Sequence, residues 1–520
     1  MLSKKFESYK IILLIIVGLT LVMGILVLIT PPSLFPDPSW GFLVMRSMQM
    51  GSGFNLMVGP DHEDVSKNAA TFLSWWSPGQ YLVPYFFKSI LSINVGQASA
   101  LTILLSNLSG LAGFYYFFKK IGFTKMIAAA ALLFIICQQV FWLPYAFYNG
   151  GEVLLFAFEG WFLYGCIAIT KPGIKLLVFV LLSGVAGFVC KSSFMWIYVS
   201  GLFCLWVRLS SGQTKPIEWI KKGVWLGIPA IGAIAVIYVF YLSKGGNPAS
   251  DSEGFKMSIE AIAFPIAAPL LTGFSVDDMV NGLVSHIDKP IFTATETMLI
   301  LLLIAVLSIG IILAIIKYVP NKMYRLFIIS FYGISILLFS YSFLRQAAIS
   351  YESRHLRIIG LLISPGVAYL IGRVKIGWQV AFLAICACIA YKSAYFTWAM
   401  HKGNMSYVHG TSGFTLGYID QPSLDYIRTL DNKTHNAIFV FVSGDIGLEV
   451  KHNRVIILNE YEEDTDKNIE PYNGHAGPVY VMLPVSYVGK KAGVMLKYFP
   501  NYQDFVPTRL SRDYVLYTGQ

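Results

Sequence analysis

The chain has 520 residues, of which 56% are hydrophobic and only 13% are charged, and its formal net charge is +10. This composition excludes an ordinary soluble globular protein and indicates a polytopic membrane protein. The lysines and arginines lie in short runs between apolar segments, which is typical of membrane topology signals and not of a groove for nucleic acid. We therefore expect membrane lipids as partners and no nucleic acid.

The first apolar segment, residues 11–29, is long enough to cross a bilayer as a helix. Lysines precede it, and the pair Pro31 and Pro32 follows it without a small-residue cleavage pattern. The segment is predicted to be an uncleaved anchor that leaves the N-terminus in the cytoplasm.

Ten further apolar segments have the length and composition of membrane helices. They are residues 98–118, 126–145, 151–170, 174–189, 194–207, 223–242, 293–316, 326–344, 356–371 and 376–396. The inner loops of this arrangement collect most of the loop lysines and arginines, which predicts an outer C-terminus. The sequence thus predicts an α-helical polytopic protein of the inner (plasma) membrane with about eleven transmembrane helices.

Two polar segments interrupt the membrane part and are predicted as outer loops, residues 31–97 and 244–290. The first should begin with an amphipathic helix from Asp37-Pro38 to about Met50 and lie at the membrane interface. In the second, the semi-apolar piece 259–271 contains two prolines. It is therefore predicted as an interfacial or re-entrant element rather than a span.

From residue 399 the composition becomes that of a soluble domain. Residues 437–443, 454–458 and 479–484 are predicted as strands, and 423–430 and 489–498 as helices. The chain is therefore expected to have a transmembrane domain at 1–398 and a small α/β extracytoplasmic domain at 399–520.

Asp37 stands directly before a proline, and two interpretations fit it. An acid followed by proline is typical of a helix N-cap with proline at the first helical position. A carboxylate at the outer membrane face is also suited to accept a proton from a hydroxyl or amine nucleophile.

Glu152 follows Asn149, Gly150 and Gly151 at the point where one predicted span ends outside and the next begins. The helix dipole alone favours an acid in a first turn. An acid this close to the hydrocarbon, beside two glycines that leave room for a ligand, also indicates a functional site.

The acidic run Asp61, His62, Glu63 and Asp64 contains suitable ligands for a divalent cation, the one cofactor that the sequence suggests. Four consecutive residues cannot all converge on one ion, and exposed polar loops commonly have this composition. Both interpretations stay open.

Several cations lie at the outer ends of predicted spans, against the usual charge bias: Lys191, Arg345 and the cluster Arg354, His355 and Arg357. A phosphate at headgroup level would account for them, because Arg forks match phosphate oxygens and Lys adds a point charge. The alternatives are snorkelling to lipid headgroups or pairing with Glu352.

The order of these features resembles the GT-C superfamily of membrane glycosyltransferases, especially its protein O-mannosyltransferase-like and lipid A aminoarabinose transferase-like branch. The matching segments are FPDPSWGFLVMRSM after the anchor, WWSPGQYLVPYFF before a surface helix, FFKKIGF, YNGGEVLLF, GVAGFVCKSSF and, later, YESRHLRIIGLLISPGVAYL. The resemblance covers most of the membrane part, and its specificity comes from the order of the segments.

The resemblance implies an enzyme that moves a sugar from a polyprenyl-phosphate donor to a lipid, glycan or protein acceptor at the outer face. It implies that Asp37 is the catalytic base and Glu152 a second acid. The substrate-binding residues that it implies are Lys191, Arg354, Arg345, His355 and Tyr81.

Two other functions remain open. A transporter or flippase of lipid-linked sugars would use the same charges along a pathway. No sequence repeat is found, which argues against transporters built from two similar halves. A catalytically silent relative with a binding scaffold is the other alternative.

Overall fold

The structure is a computed structural model that describes residues 7–246, 252, 254–276, 285–286, 289–458, 470–487, 493 and 496–520. The chain divides into two compact units. The first comprises Met1–Met23, Ile103–Pro144 and Gly151–Ala399, and the second comprises Gly24–Thr102, Tyr145–Gly150 and Met400–Gln520. Most of the predicted helix at 489–498 and parts of the loop 244–290 lie outside the described residues.

Sixteen α-helices have bounds within the described part of the chain. In chain order they are α1 Ser8–Ile29, α2 Pro36–Gln49, α3 Gly79–Leu91, α4 Val95–Ile121, α5 Lys125–Cys137, α6 Gln139–Ala146, α7 Gly151–Ala168, α8 Ile174–Cys190, α9 Phe194–Ser210, α10 Pro216–Phe240, α11 Ile259–Gly273, α12 Ala294–Tyr318, α13 Lys322–Leu344, α14 Arg357–Ile371, α15 Ile376–Ser406 and α16 Gln421–Lys433.

Eight helical segments among the described residues are long and apolar enough to cross a membrane, and the pair α5 and α6, bent by 52°, would make a ninth. The helices α8 and α9, also expected as spans, have 17 residues each, at the short end of the usual range of about 17 to 25. The prediction of a polytopic helical membrane protein with a small C-terminal α/β part is confirmed.

Polar caps mark where several of these helices begin. The side chains of Thr124 and Asn321 accept hydrogen bonds from the first turns of α5 and α13. Thr293 and Glu296 form a reciprocal capping box at the start of α12. Each cap satisfies backbone N–H groups that have no partner within the helix, and so fixes the starting residue of an apolar segment.

The proline-containing piece 259–271 forms one helix, α11, although Pro265 and Pro269 lie inside it. Hydroxyls of neighbouring helices donate to its carbonyls: Ser308 to Ala267 at 3.1 Å and Tyr332 to Ile266 at 2.7 Å. A proline removes the backbone donor to the carbonyl four residues before it, here the carbonyls of Ala261 and Pro265, so the two hydroxyls bond other carbonyls of the same stretch. These bonds tie α11 to α12 and α13 beside its prolines.

The C-terminal part of the second unit contains a five-stranded sheet. Its strands are β9 Ile438–Phe441, β10 Arg454–Ile457, β11 Val479–Pro484, β12 Val506–Arg509 and β13 Tyr514–Gly519, and they lie side by side in the order β10-β9-β11-β13-β12. The first three strands in chain order are parallel, and β13 pairs antiparallel with β11 and β12. Alternate residues of β9 enter separate apolar clusters, and α16 packs in the cluster that contains Phe439.

The polar segment 31–97 also contributes strands to the second unit. Leu56–Pro60 (β2) and Asn68–Phe72 (β3) form an antiparallel hairpin. In the first unit, Ser285–His286 (β5) and Lys289–Pro290 (β6) form another short antiparallel pair. Ser33–Leu34 (β1) lies between Phe147–Tyr148 (β4) and Thr415–Leu416 (β8), parallel to both, and Val408–His409 (β7) completes this sheet. Segments far apart in the sequence thus meet beside α2, which carries Asp37.

Candidate functional site

In the first unit, Glu152 lies in the first turn of α7 and is 9% exposed. Lys191 follows the last residue of α8, where its extended backbone ends the helix. The Lys191 ammonium donates a hydrogen bond to Oε1 of Glu152. An acid at a helix N-terminus and a cation at the end of the neighbouring helix thereby form a largely buried ion pair.

Arg354 brings a second cation to the same carboxylate. It lies in the short 3₁₀ helix Ser353–Leu356 that precedes α14. Its Nη1 is 3.4 Å from Oε1 of Glu152, and its Nε pairs with the more exposed Glu352. We call Glu152, Lys191, Arg354 and Glu352 the ion cluster. Because the cations are paired here with acids, neither depends on lipid headgroups for a partner.

Gly151 allows the close approach of α7 to Lys191. A Cβ atom added at Gly151 would lie 2.9 Å from the carbonyl oxygen of Cys190 and 3.3 Å from the Lys191 side chain. The first of these distances is shorter than real Cβ contacts. A larger residue would therefore force the acid-bearing turn and Lys191 apart.

A second acid, Glu159, lies near Arg357 and was not predicted, whereas Arg357 was among the cations singled out in the sequence. Glu159 is seven residues beyond Glu152 on α7, which places both on the same helix face, and it is 3% exposed. The guanidinium of Arg357 lies 4.9 Å from the ring centre of Phe156 and attracts both carboxylates. The available signal was the lone acid in the apolar segment FEGWF, since buried acids in spans are rare.

The structure places the remaining predicted residues of the first unit outside the ion pairs of the cluster. Arg345 is exposed at the end of α13, with its guanidinium over the ring of Tyr341 at 5.7 Å. The ring of His355 stacks on Phe339 with centroids 6.3 Å apart. His355 follows Arg354 in the 3₁₀ helix, and its ring packs on Phe339 and makes no ion pair of the ion cluster.

In the second unit, the N-cap interpretation of Asp37 is wrong. The helix α2 begins at Pro36 after the N-cap residue Phe35, so Asp37 is the second residue inside the helix. A carboxylate there is still favoured by the helix dipole.

Tyr81, the other predicted residue of the second unit, lies in α3. Its phenol is fully buried and donates to Oδ1 of Asn55 at 2.6 Å, which fixes Asn55 between α3 and the hairpin segment.

The acidic run lies in the turn between β2 and β3. Oδ1 of Asp61 accepts from the amides of Glu63 and Asp64, Asp64 pairs with Lys67 at 3.1 Å, and the ring of His62 stacks on Tyr472. Nowhere in the described residues do three His, Cys, Asp or Glu side chains come together as a metal site requires. These contacts are those of a hydrogen-bonded turn.

No protein-family model matches the sequence, and no curated protein matches it either. Solved structures, however, do match the chain. The crystal structure of ArnT from Cupriavidus metallidurans bound to undecaprenyl phosphate matches with a TM-score of 0.50 at 13% identity, and the match covers 97% of each chain. The structure of the same protein in the apo state matches with a TM-score of 0.51 at 14% identity over 98% of each chain.

At this sequence identity the matches concern the fold. They extend over nearly the whole of both chains, so they include the membrane helices and the C-terminal sheet alike. The resemblance inferred from the order of short motifs is thereby confirmed at the level of architecture. The chain has the GT-C fold.

Proposed function

We propose that the chain is a membrane glycosyltransferase that moves a sugar from a polyprenyl-phosphate donor to an acceptor at the outer face of the membrane. The observation that carries this proposal is the convergence of Lys191 and Arg354 on one carboxylate oxygen of Glu152. Two cations from separate helical elements, held at a helix end in a membrane protein, form a site for an anion.

The cations suit a phosphate in particular. Lys191 supplies a point charge, and the planar guanidinium of Arg354 can donate two parallel hydrogen bonds to phosphate oxygens. In the present structure the Glu152 carboxylate accepts from both. A donor phosphate would replace this carboxylate as the partner of the two cations, and Glu152 would then be the anion that it displaces.

In the proposed transfer, an acceptor oxygen or nitrogen attacks the anomeric carbon of the donor sugar. The bond from that carbon to the phosphate oxygen breaks, and its electron pair leaves with the lipid phosphate. Lys191 and Arg354 stabilise the negative charge that develops there. The acceptor proton passes to the carboxylate of Asp37, which acts as the general base.

The fold supports the same ligand class. One of the matching ArnT structures is bound to undecaprenyl phosphate, a lipid phosphate of the kind proposed here as donor carrier. A transporter of lipid-linked sugars would bind the same phosphate, so binding and transfer must be measured separately.

The first experiment measures binding of undecaprenyl phosphate to the full-length protein in nanodiscs. Lys191→Ala and Arg354→Ala should each weaken binding roughly 10- to 150-fold, because a charge-assisted hydrogen bond contributes about 1.5 to 3 kcal/mol. Lys175→Ala and Arg373→Ala are the matched controls, since these exposed cations lie at the opposite ends of α8 and α14. Wild-type affinity in both cluster variants would contradict the proposal.

The second experiment separates transfer from transport. A glycosylated lipid-phosphate donor in the same nanodiscs should release free lipid phosphate when acceptor is added, and Lys191→Ala should lose this release. Movement of intact donor across the bilayer, with no acceptor-dependent release, would instead assign the site to transport.

A further inference from the structure

The second unit contains a cavity of about 260 Å³ between the hairpin β2–β3 and the edge strand β10 of the C-terminal sheet. Residues of α2 also line it, among them Trp40 and Arg46. Its volume is just below the range of about 300 to 1,000 Å³ that is usual for small-molecule pockets. The cavity is therefore sized for a small ligand.

Two aromatic surfaces line this cavity. Trp40 is held by its neighbour Trp76, whose ring is nearly parallel at a centroid distance of 6.4 Å. The second surface is the stacked pair His62 and Tyr472, with centroids 3.9 Å apart. Aromatic faces carry partial negative charge, and they attract the weakly positive C–H face of a sugar ring.

The strand β10 supplies polar backbone groups. The amide of Arg454 donates to the carbonyl of Ala437, just before β9, and the amide of Leu458, just after β10, donates to the carbonyl of Phe441 in β9. Because backbone groups alternate in direction along a strand, those of Val455 and Ile457 point to the opposite edge. That edge has no partner strand in the part of the chain that the structure describes, and both residues line the cavity.

Side chains add donors that suit a ligand with hydroxyl groups. Nε and Nη2 of Arg46 donate to the carbonyls of Val450 and Asn453, which fixes the guanidinium at the cavity wall. Burial raises the pKa of Tyr472 to about 12, so its phenol remains protonated and able to donate. Donors, acceptors and aromatic faces together match the hydroxyl rim and C–H faces of a sugar.

An added peptide strand does not fit the same space. A Cβ atom at Gly59 in β2 would lie only 3.7 Å from the carbonyl oxygen of Val455 in β10. An inserted strand would need β2 and β10 to be separated by twice the interstrand spacing of about 4.8 Å. At this point they are too close, which leaves a compact ring as the ligand that fits.

The cavity also lies close to the proposed base. Trp40 follows Asp37 by three residues on α2, so their Cβ atoms are about 5 to 6 Å apart on one helix face. We propose that the cavity binds a sugar ring of the acceptor, stacked on Trp40, and that the acceptor is therefore a glycan. This assignment rests on the proposed function for the role of Asp37, while binding of the sugar itself can be measured without it.

The test uses the full-length protein in nanodiscs of phosphatidylcholine and phosphatidylglycerol, which contain no sugar. The probes are the methyl glycosides of glucose, mannose, N-acetylglucosamine and arabinose, and the readout is saturation-transfer NMR. We expect saturation of ring C–H protons in at least one glycoside. Trp40→Ala should lower this signal at least tenfold, and Trp40→Phe, which keeps an aromatic face, should retain part of it.

Because Trp40→Ala could disturb folding, a second variant tests the same cavity by filling it. Thr71 is an exposed strand residue that lines the cavity, so Thr71→Trp should occupy the space and weaken glycoside binding at least tenfold. Thr508→Trp makes the same change at an exposed residue of β12 outside the cavity and should bind as the wild type does.

The outcomes separate this inference from the proposed function. If no glycoside receives saturation from the wild type, or if Thr71→Trp binds like the wild type, the sugar site is wrong. Undecaprenyl phosphate binding in the same nanodiscs then still tests the ion cluster. Glycoside binding that Thr71→Trp abolishes, together with absent lipid-phosphate binding, would keep the sugar site and reject the proposed donor.

Discussion

Two nearly buried glutamates, one in each unit, show how differently a carboxylate can be held. Glu449 in the second unit is 1% exposed and accepts from the Thr411 amide at 2.7 Å and the Ser412 amide at 3.0 Å, as well as from the Thr411 hydroxyl and Arg428. Glu152 in the first unit is 9% exposed, and two cations share its Oε1.

The two carboxylates differ in the groups that donate hydrogen bonds to them. Burial raises the pKa of Glu449, but hydrogen bonds from Arg428 and from the backbone outweigh it, so that the pKa lies below its usual value. The amides of Thr411 and Ser412 are fixed by the backbone, and they belong to the same loop that Glu449 holds together. The partners of Glu152 are instead the charged ends of two long side chains, which can exchange one anion for another. Burial alone therefore does not identify a site, whereas the type of partner does.

The largest expected effect is the loss of turnover in Asp37→Asn. Asp37 is a third acid to compare with Glu449 and Glu152, and it is partly exposed. Asp37→Asn keeps nearly the same volume but cannot take the acceptor's proton, so turnover should fall about 10²- to 10⁴-fold. Expression and lipid-phosphate binding should be retained. Turnover near the wild-type value at matched expression would remove Asp37 as the base and make Glu152 the next acid to test.

Glu449→Ala should damage structure rather than donor binding. Removing one partner of a buried charge pair costs about 3 to 5 kcal/mol, and here two backbone amides lose their acceptor as well. Hydrogen exchange at the amides of Thr411 and Ser412 should accelerate strongly. Lys191→Ala is the control and should leave those two amides protected. Unchanged exchange in Glu449→Ala would contradict a structural role.

Asp445 differs from both glutamates, because it is buried without a cation beside it among the contacts of the described residues, and it accepts from the Ser443 hydroxyl and the Ile446 amide. Burial raises its pKa to about 6. The folded state then binds a proton that the unfolded chain releases near its ordinary pKa of 3.8. Asp445 therefore lowers stability as pH rises from about 4 to 6, and the loss persists above that range.

Asp445→Asn removes the charge and keeps an oxygen that can accept both hydrogen bonds. At pH 8 it should stabilise the protein by roughly 2 to 3 kcal/mol, since one pKa unit corresponds to about 1.4 kcal/mol. The advantage over the wild type should shrink as the pH falls to about 4. The apparent melting temperature of both proteins across this range checks the sign, and a pH-independent difference would refute it.

Glu152→Gln gives the smallest expected effect and the most direct test of exchange. If Glu152 is the anion that a donor phosphate displaces, its neutral form should compete less well for Lys191. Undecaprenyl phosphate should then bind about tenfold more tightly, which corresponds to about 1.4 kcal/mol. Weaker binding, as expected for Lys191→Ala, would show that Glu152 supports the phosphate site instead.

Elements that depend on local sequence were predicted closely. The helix expected from Asp37 to about Met50 is Pro36–Gln49, and the span expected at 151–170 is Gly151–Ala168. The three predicted strands of the C-terminal sheet are β9, β10 and β11. Apolar periodicity and helix-starting residues act over a few positions, so the sequence is sufficient for them.

The pairing of side chains depends on tertiary structure and could only partly be predicted. Lys191 is 39 residues from Glu152 and Arg354 is 202 residues from it, yet their side chains meet. The sequence indicated each of the three, but not that both cations share one acid. It gave no sign of Glu449, an acid in a short turn, or of the cavity, whose walls come from both ends of the chain.

The two-residue strand β1 has a consequence for biosynthesis. Ser33 pairs with Thr415 in β8, so the sheet beside α2 is complete only after residue 415 has been synthesised. At about 5 to 20 residues per second, the ribosome needs roughly 20 to 75 seconds to add the intervening chain. Throughout that interval β1, which directly precedes the helix that carries Asp37, has no β8 to pair with. A chain that terminates before residue 415 cannot complete this sheet.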